Sequence, residues 1–102
     1  MHTWTEIKEY IEELLNERKD DFDNETISFI RHYLKHDELE MAFEALFIEI
    51  IKLKKYSLNN TKKAKDIALI LKLDNESIFD SVFWKKLESF LATGNSNECM
   101  HP

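Results

Sequence analysis

Two histidines, His32 and His36, stand four residues apart in the chain, close to a run of acidic residues. On a helix, imidazoles at i and i+4 lie on one face and can share a zinc ion. The remaining candidate ligands, Cys99 and His101, would have to fold back from the C-terminal end at an entropic cost. Cationic histidines near a helix C-terminus are also favourable without any metal. We therefore expect no metal site and no cofactor.

Paired carboxylates are a second chemical possibility. Glu9 with Glu13, and Glu40 with Glu44, are spaced i and i+4, a spacing that acid–base catalysis or a di-metal site can use. In di-metal bundles such acids point inward beside a Glu-x-x-His pattern, which accompanies neither pair. A solvated helix face explains both pairs better.

No other pattern in the sequence supports an enzyme. Gly94 is the only glycine, so a phosphate-binding glycine loop, a dinucleotide fingerprint and a nucleophile elbow are all excluded. Ser28, Ser57 and Ser77 stand beside no signature of an activated nucleophile. We expect no catalytic residue and a protein that is not an enzyme.

The charges are sorted along the chain. Residues 1–50 hold fourteen acidic against five basic residues, a net of −9, whereas residues 51–102 hold six against nine, a net of +3. An acidic half of this kind repels nucleic acid and anionic membranes and attracts a cationic protein. The one basic cluster, with Tyr56 among its members, is the alternative nucleic-acid site, but the net charge of −6 argues against that role. Its lysines are Lys52, Lys54, Lys55, Lys62, Lys63 and Lys65.

The elements that must position these residues are helices. Before Gly94 the chain has neither glycine nor proline, and apolar residues recur at intervals of three and four. Five helices are predicted: one over 4–18 capped by Thr3, one capped by Asp23 or Asn24 and ending near Lys35, a central one opened by an Asp37–Glu40 capping box and reaching Leu53, one following Thr61, and one from Asp80 or Ser81 to a cap at Gly94. The predicted fold class is all-α, a single compact bundle of about five short helices.

Length and composition predict one domain over residues 1–94 and a flexible, disordered C-terminal tail over 95–102, because the tail has little apolar content. A lone cysteine, Cys99, is typical of a reducing compartment. The first residues lack the pattern of a signal peptide, and the apolar runs are too short to span a bilayer. A cytoplasmic protein is therefore expected.

Residues 27–46 read ISFIRHYLKHDELEMAFEAL. This segment resembles one found in small all-helical bacterial immunity proteins of the contact-dependent growth inhibition and polymorphic toxin systems, including the MafI-like and CdiI-like groups. The likeness covers about a fifth of the chain, and a late helix with an aromatic such as Trp84 also fits. The residues that carry it are Ile30, His32 or His36, Glu38, Leu39, Ala42, Phe43, Glu44 and Leu46.

The resemblance implies a cytoplasmic antitoxin that binds a cognate basic toxin domain, an RNase or DNase, and neutralises it by stoichiometric protein–protein inhibition. Because such surfaces diversify with their toxins, the partner-binding residues are inferred from charge, with three residues as anchors. The acidic candidates are Asp20, Asp21, Asp23, Glu25, Asp37, Glu38, Glu40 and Glu44; the anchors are Tyr33, His36 and Trp84. The alternative is a small helical adaptor or regulatory module unrelated to toxins. The oligomeric state is left open.

Overall fold

Five α-helices and one 3₁₀ turn account for most of the chain in the computed structural model, which describes residues 3–53 and 60–99, with side chains as far as Ala92. The helices are α1 (Trp4–Arg18), α2 (Asn24–Lys35), α3 (Leu39–Leu53), α4 (Thr61–Ile70) and α5 (Phe83–Cys99), with the 3₁₀ turn at Lys19–Asp21. No strand occurs in the described ranges, so the predicted all-α class is confirmed.

The helix starts follow from side-chain capping. The Thr3 hydroxyl accepts the backbone N–H of Glu6, and a Glu6 carboxylate oxygen accepts the backbone N–H of Thr3, which makes a reciprocal capping box. Asp23 caps α2 by accepting the N–H of Thr26 at 2.7 Å, and Asn60 caps α4 by accepting from Lys63. The predicted limits of α1 and α2 are confirmed.

Two helices end in Schellman motifs, although the residue in the left-handed position is not glycine in either. Asp37 (φ 57°) follows α2, and Lys72 (φ 62°) follows α4. After α2 the Glu38 N–H bonds to the Tyr33 carbonyl, and the Asp37 N–H bonds to the Leu34 carbonyl. The predicted capping box of Asp37 with Glu40 is therefore wrong, because Asp37 belongs to the end of α2 and α3 begins two residues later.

α3 is the centre of the bundle, as its nearly all-round apolar character predicts. It contacts α1, α2 and α5, while α4 packs on α5. The rings of Phe43 and Phe47 stack at 4.4 Å between centroids in the interior. The Cα radius of gyration is 13.1 Å, the value of about 13 Å expected for a compact domain of this length.

The structure differs from the prediction at the start of α1 and at the end of α5. The spacing of apolar residues in α1 starts at Trp4 and predicts that its side chain packs inward, but Trp4 is 61% exposed, because Ile7 is the first side chain of this series that reaches the core. Gly94 was expected to end the last helix, yet α5 continues to Cys99, and no described glycine has a positive φ. The expected boundary between 94 and 95 thus falls within a helix. Residues 100–102 of the predicted tail lie outside the described ranges.

Glu44 is the one buried charged side chain among the described residues. Its Oε1 accepts the N–H of Ile78 at 2.7 Å, and its Oε2 accepts the N–H groups of Phe79 and Asp80, both at 2.9 Å. These bonds fix the loop before α5 to the central helix, and they offset the cost of removing a carboxylate from water. Glu44 was expected on a solvated strip and at the partner surface. Both expectations are wrong, because a wholly buried side chain cannot contact a partner.

The same loop is tied forward to α5 by Asp80. Its Oδ1 accepts the N–H of Val82 at 3.0 Å, and its Oδ2 lies 2.8 Å from Lys86 Nζ. The bond from Lys86, followed by that from Val82, lowers the pKa of Asp80. The loop is therefore held on one side by Glu44 and on the other by Asp80.

We predict that Glu44→Gln lowers the free energy of unfolding by about 2–3 kcal/mol. An amide in place of the carboxylate leaves at least one of the three part-buried N–H donors facing an NH₂ group. Urea denaturation followed by circular dichroism measures the loss. Glu40→Gln, one turn earlier on α3 and partly exposed, is the matched control and should change stability by no more than about 0.5 kcal/mol. Equal urea midpoints for the two variants would contradict the role of Glu44.

We also predict that Lys72→Gly raises the free energy of unfolding by about 1 kcal/mol, because the substitution removes the Cβ penalty of the left-handed conformation. The gain is measured from the urea midpoint. Lys86→Gly is the contrasting change: inside α5 a glycine costs about 1 kcal/mol of helix propensity and also removes the ion pair with Asp80. A loss of stability in Lys72→Gly would contradict the described end of α4.

Candidate protein-binding surface

An acidic groove lies between the first half of α1 and the start of α3. Its volume is about 640 Å³. The residues that line it are Trp4, Thr5, Lys8, Glu9, Glu12, Asp37, Leu39 and Glu40. Among the described lining residues four carboxylates face one ammonium group, which gives a net charge of −3. We refer to these eight residues as the acidic groove.

One ion pair crosses the acidic groove. Lys8 Nζ lies 3.2 Å from Asp37 Oδ1, and the side chain of Asp37 is largely exposed. An ion pair in contact with water contributes about 0–1 kcal/mol. Lys8 is thus held weakly, and a cation brought by a partner can compete with it for Asp37.

Trp4 supplies the acidic groove with an exposed aromatic surface. It is the first residue of α1, and its indole lies beyond the point where the helix meets the core. Tryptophan is among the residues that contribute most to protein–protein binding energy when a partner buries them. An indole beside several carboxylates is also suited to a cationic side chain, because the ring face attracts positive charge.

The acidic residues predicted at the partner surface do not form one patch. Asp37 and Glu40 line the acidic groove, and Glu38 lies beside them at the α2–α3 junction, half-buried. The remaining acidic candidates at the surface lie at the other end of α2, and the length of that helix separates them from Asp37 by about 18 Å. They are Asp20, Asp21, Asp23 and Glu25, of which Asp21 is half-buried and the others are exposed.

The three predicted anchors lie in different settings. Tyr33 is half-buried on α2, with its ring 4.8 Å from that of Phe29. His36 is exposed at the end of the same helix, and its ring lies 4.6 Å from that of His32. Trp84 is half-buried and packs against the core from α5, so the structure brings Tyr33 and His36 to one helix but not Trp84.

The basic cluster engages other groups of this chain. Lys62 lies 3.1 Å from Asp66, and Lys65 lies 4.0 Å from Glu88. The Lys63 ammonium sits 5.5 Å from the centre of the Tyr10 ring, and burial raises the pKa of that phenol. Lys52 pairs with Glu49 of the acidic half, with 3.4 Å between Lys52 Nζ and Glu49 Oε2. Lys54, Lys55 and Tyr56 lie outside the described residues.

Neither a metal site nor a membrane-spanning helix is found in the part of the chain that the structure describes. Although the rings of His32 and His36 are adjacent, the side chains described over 3–53 and 60–92 contain no group of three or more His, Cys, Asp and Glu that could hold a metal ion. None of the described helices is both long enough and apolar enough to cross a bilayer.

Of the eight residues of the acidic groove, only Asp37 and Glu40 were predicted at the partner surface. The apolar periodicity of α1 places Glu9 and Glu12 on its polar face and Trp4 on its apolar face. The regular spacing of glutamates on α1 was a usable signal, but nothing in the sequence shows that this face lies beside the α2–α3 junction. The juxtaposition depends on how α1 packs on α3, which only the fold reveals.

The capping carboxylate of Asp23 makes the stability of the fold depend on pH. The N–H of Thr26 lowers the pKa of the Asp23 carboxyl below its ordinary 3.8. A depressed folded-state pKa gives stability that is present above 3.8 and lost as the pH falls through the folded value. Asp23→Asn retains a capping oxygen but does not titrate. We predict that the urea midpoint of the native chain exceeds that of Asp23→Asn at pH 7, and that this advantage decreases as the pH falls below 3.8 and is lost below the folded-state pKa. An advantage that is unchanged at low pH would contradict the cap.

Comparisons with known proteins add no relative to this picture: no family model, no curated protein and no solved structure matches the chain.

Proposed function

We propose that this chain is an immunity protein, which binds the basic nuclease domain of a cognate toxin in the cytoplasm and neutralises it in a stoichiometric complex. The observation that carries the proposal is the acidic groove, where a net charge of −3 adjoins a 61% exposed tryptophan. The likeness of residues 27–46 to bacterial immunity proteins points to the same class of partner.

The chemistry of a nuclease supplies the complementary surface. A nuclease holds the phosphates of its substrate with lysine and arginine, so its active-site cleft is cationic. The carboxylates of the acidic groove resemble those phosphates in charge and in their capacity to accept hydrogen bonds. An inhibitor with such a surface is suited to occupy the cleft in place of nucleic acid.

Speed of association is the second physical reason for the charge. A toxin must be captured before it acts, and complementary fields raise association rate constants to about 10⁸–10⁹ M⁻¹s⁻¹ at low ionic strength. At physiological salt the Debye length is about 8 Å, so clustered carboxylates still act on a partner at close range. Glu9 and Glu12, both exposed on α1, and Asp37 at the helix junction all contribute to the same field.

The rigid position of the carboxylates favours tight binding. Glu9 and Glu12 stand on a capped helix, Glu40 stands on the central helix, and Asp37 is fixed by the Schellman motif at the end of α2. Side chains on ordered elements lose less conformational entropy when a partner arrives than side chains on a mobile loop.

The proposal is tested with the toxin domain encoded directly upstream of this chain's gene, the gene order expected for an immunity protein. Coexpression should restore the growth of cells that produce the toxin domain, and the purified pair should form a 1:1 complex by light scattering. Absence of both protection and complex formation would contradict the proposal.

We predict that the double substitution Glu9→Lys with Glu40→Lys lowers the association rate constant roughly tenfold at low salt and flattens its dependence on ionic strength. Stopped-flow fluorescence of the mixed proteins measures both effects. Asp37 is left unchanged, because its left-handed backbone disfavours most other residues.

Asp74→Lys with Glu76→Lys is the matched control, since it makes the same charge change at exposed positions outside the acidic groove. Its association rate constant should fall much less. An equal loss in the two double variants would mean that net charge, and not the acidic groove, governs the encounter.

A further inference from the structure

Five aromatic rings form a continuous series on the outer side of α2, which we call the aromatic face. They belong to Phe29, His32, Tyr33, His36 and Phe79. Neighbouring centroids lie 4.6–6.0 Å apart, within the range of favourable ring pairs. The four members on α2 recur at intervals of three and four, which places them on one side of the helix.

The fifth ring belongs to Phe79, which lies in the loop before α5. Phe79 lies 6.0 Å from Phe29 and 5.9 Å from Tyr33, and its backbone N–H is one of the three that Glu44 accepts. The loop fixed by this buried carboxylate leaves Ile78 44% exposed and Phe79 42% exposed, beside a 47% exposed Phe29. A contiguous exposed patch of large apolar side chains is a feature of interaction sites.

Carboxylates flank these rings. A groove of about 410 Å³ runs between α2 and the second half of α3, and Phe29 and Phe79 are part of its wall. Glu25 and Glu49 also line it, and none of its described lining residues is basic. Glu49 Oε2 lies 3.4 Å from Lys52 Nζ, but an exposed pair of this kind is readily exchanged.

We propose that the aromatic face and the groove beside it bind arginine side chains from a basic segment of the partner protein. A guanidinium group stacks flat on aromatic rings and donates to carboxylates at the same time, whereas an ammonium group cannot stack. Phe29 and Phe79 offer ring surfaces, and Glu25 and Glu49 offer the acceptors. This inference rests on the proposed function to the extent that a cationic partner supplies the arginine.

The surface is distinct from the acidic groove. The two share no lining residue, and Glu25 marks the start of α2 whereas Asp37 follows its end. A partner that spans both would contact the molecule along the whole length of α2. Arginine recognition at the aromatic face would then add specificity to the general attraction of the acidic groove.

Hexa-arginine and hexa-lysine peptides of equal charge test the aromatic face without any toxin. Each is titrated at pH 7.5 into the ¹⁵N-labelled full chain, with amide shifts followed by NMR. Hexa-arginine is expected to bind roughly two- to fivefold more tightly than hexa-lysine, with its largest arginine-specific shifts on α2 and the 78–80 loop. Equal affinities, or arginine-specific shifts confined to the acidic groove, would overturn the proposal.

A double variant that lacks two of the rings tests whether the aromatic face causes the preference for arginine over lysine. Phe29→Leu with Phe79→Leu retains apolar surface but removes the stacking faces, so the preference for arginine should disappear. Phe90→Leu removes a half-buried ring from α5 and should leave it intact. Persistence of the preference in the double variant would overturn the proposal, as would concentration-dependent self-association of the native chain that this variant abolishes, because a second copy would then be the occupant.

The peptide result also separates this inference from the proposed function. If the peptides show no arginine preference while Glu9→Lys with Glu40→Lys still slows toxin binding, only the assignment of the aromatic face fails. If the preference is present but the toxin is not neutralised, the proposed function fails and the arginine-binding surface remains.

Discussion

The bond between Glu44 and three backbone N–H groups is the interaction on which the exposed surface of α2 depends. A carboxylate in the interior is tolerated only when donors replace the water that it has lost. Ile78, Phe79 and Asp80 supply those donors. Because the donors are consecutive backbone groups, the bond fixes a loop that has no helix or strand of its own. The position of Phe79 against α2 follows from that attachment.

The acidic residues of the first half thus have two physical roles. Glu44 is internal and stabilises the fold, whereas Glu9, Glu12, Asp37 and Glu40 line a surface groove and create a field outside it. The same side-chain chemistry serves both roles, and the surrounding burial decides between them. The charge of Glu44 is taken up inside the fold by its backbone donors, so the net charge of the chain overstates the charge available at the surface.

Helix type and most helix limits could be predicted, because they depend on local patterns. Thr3 and Asp23 cap the helices as their spacing from the apolar stripe predicts, and the apolar circumference of α3 predicts its central place. Glu44 could not be predicted to be buried, since its donors lie 34 to 36 residues away in a loop without periodicity. Asp37 was assigned to the wrong helix end because a left-handed residue other than glycine has little sequence signal.

The candidate surface was predictable in its chemistry but not in its location. Negative charge and aromatic residues are visible in the sequence, and Asp37, Glu40 and Tyr33 were assigned from it. The adjacency of Trp4, Glu9 and Glu12 to the α2–α3 junction requires α1 to pack on α3 in a particular register. The approach of Phe79 to Phe29 likewise requires the loop that Glu44 fixes. Such long-range relations have no local pattern from which they can be read.

Zero-length carbodiimide cross-linking of the complex with the toxin domain tests the central claim most directly, since it joins only carboxylates and lysines that are in contact. Peptide mass spectrometry then identifies the joined side chains. We expect cross-links from partner lysines to Glu9, Glu12, Asp37 or Glu40 in the acidic groove. Cross-links confined to Asp74, Glu76 and Glu88 would contradict capture of a cationic protein by that surface.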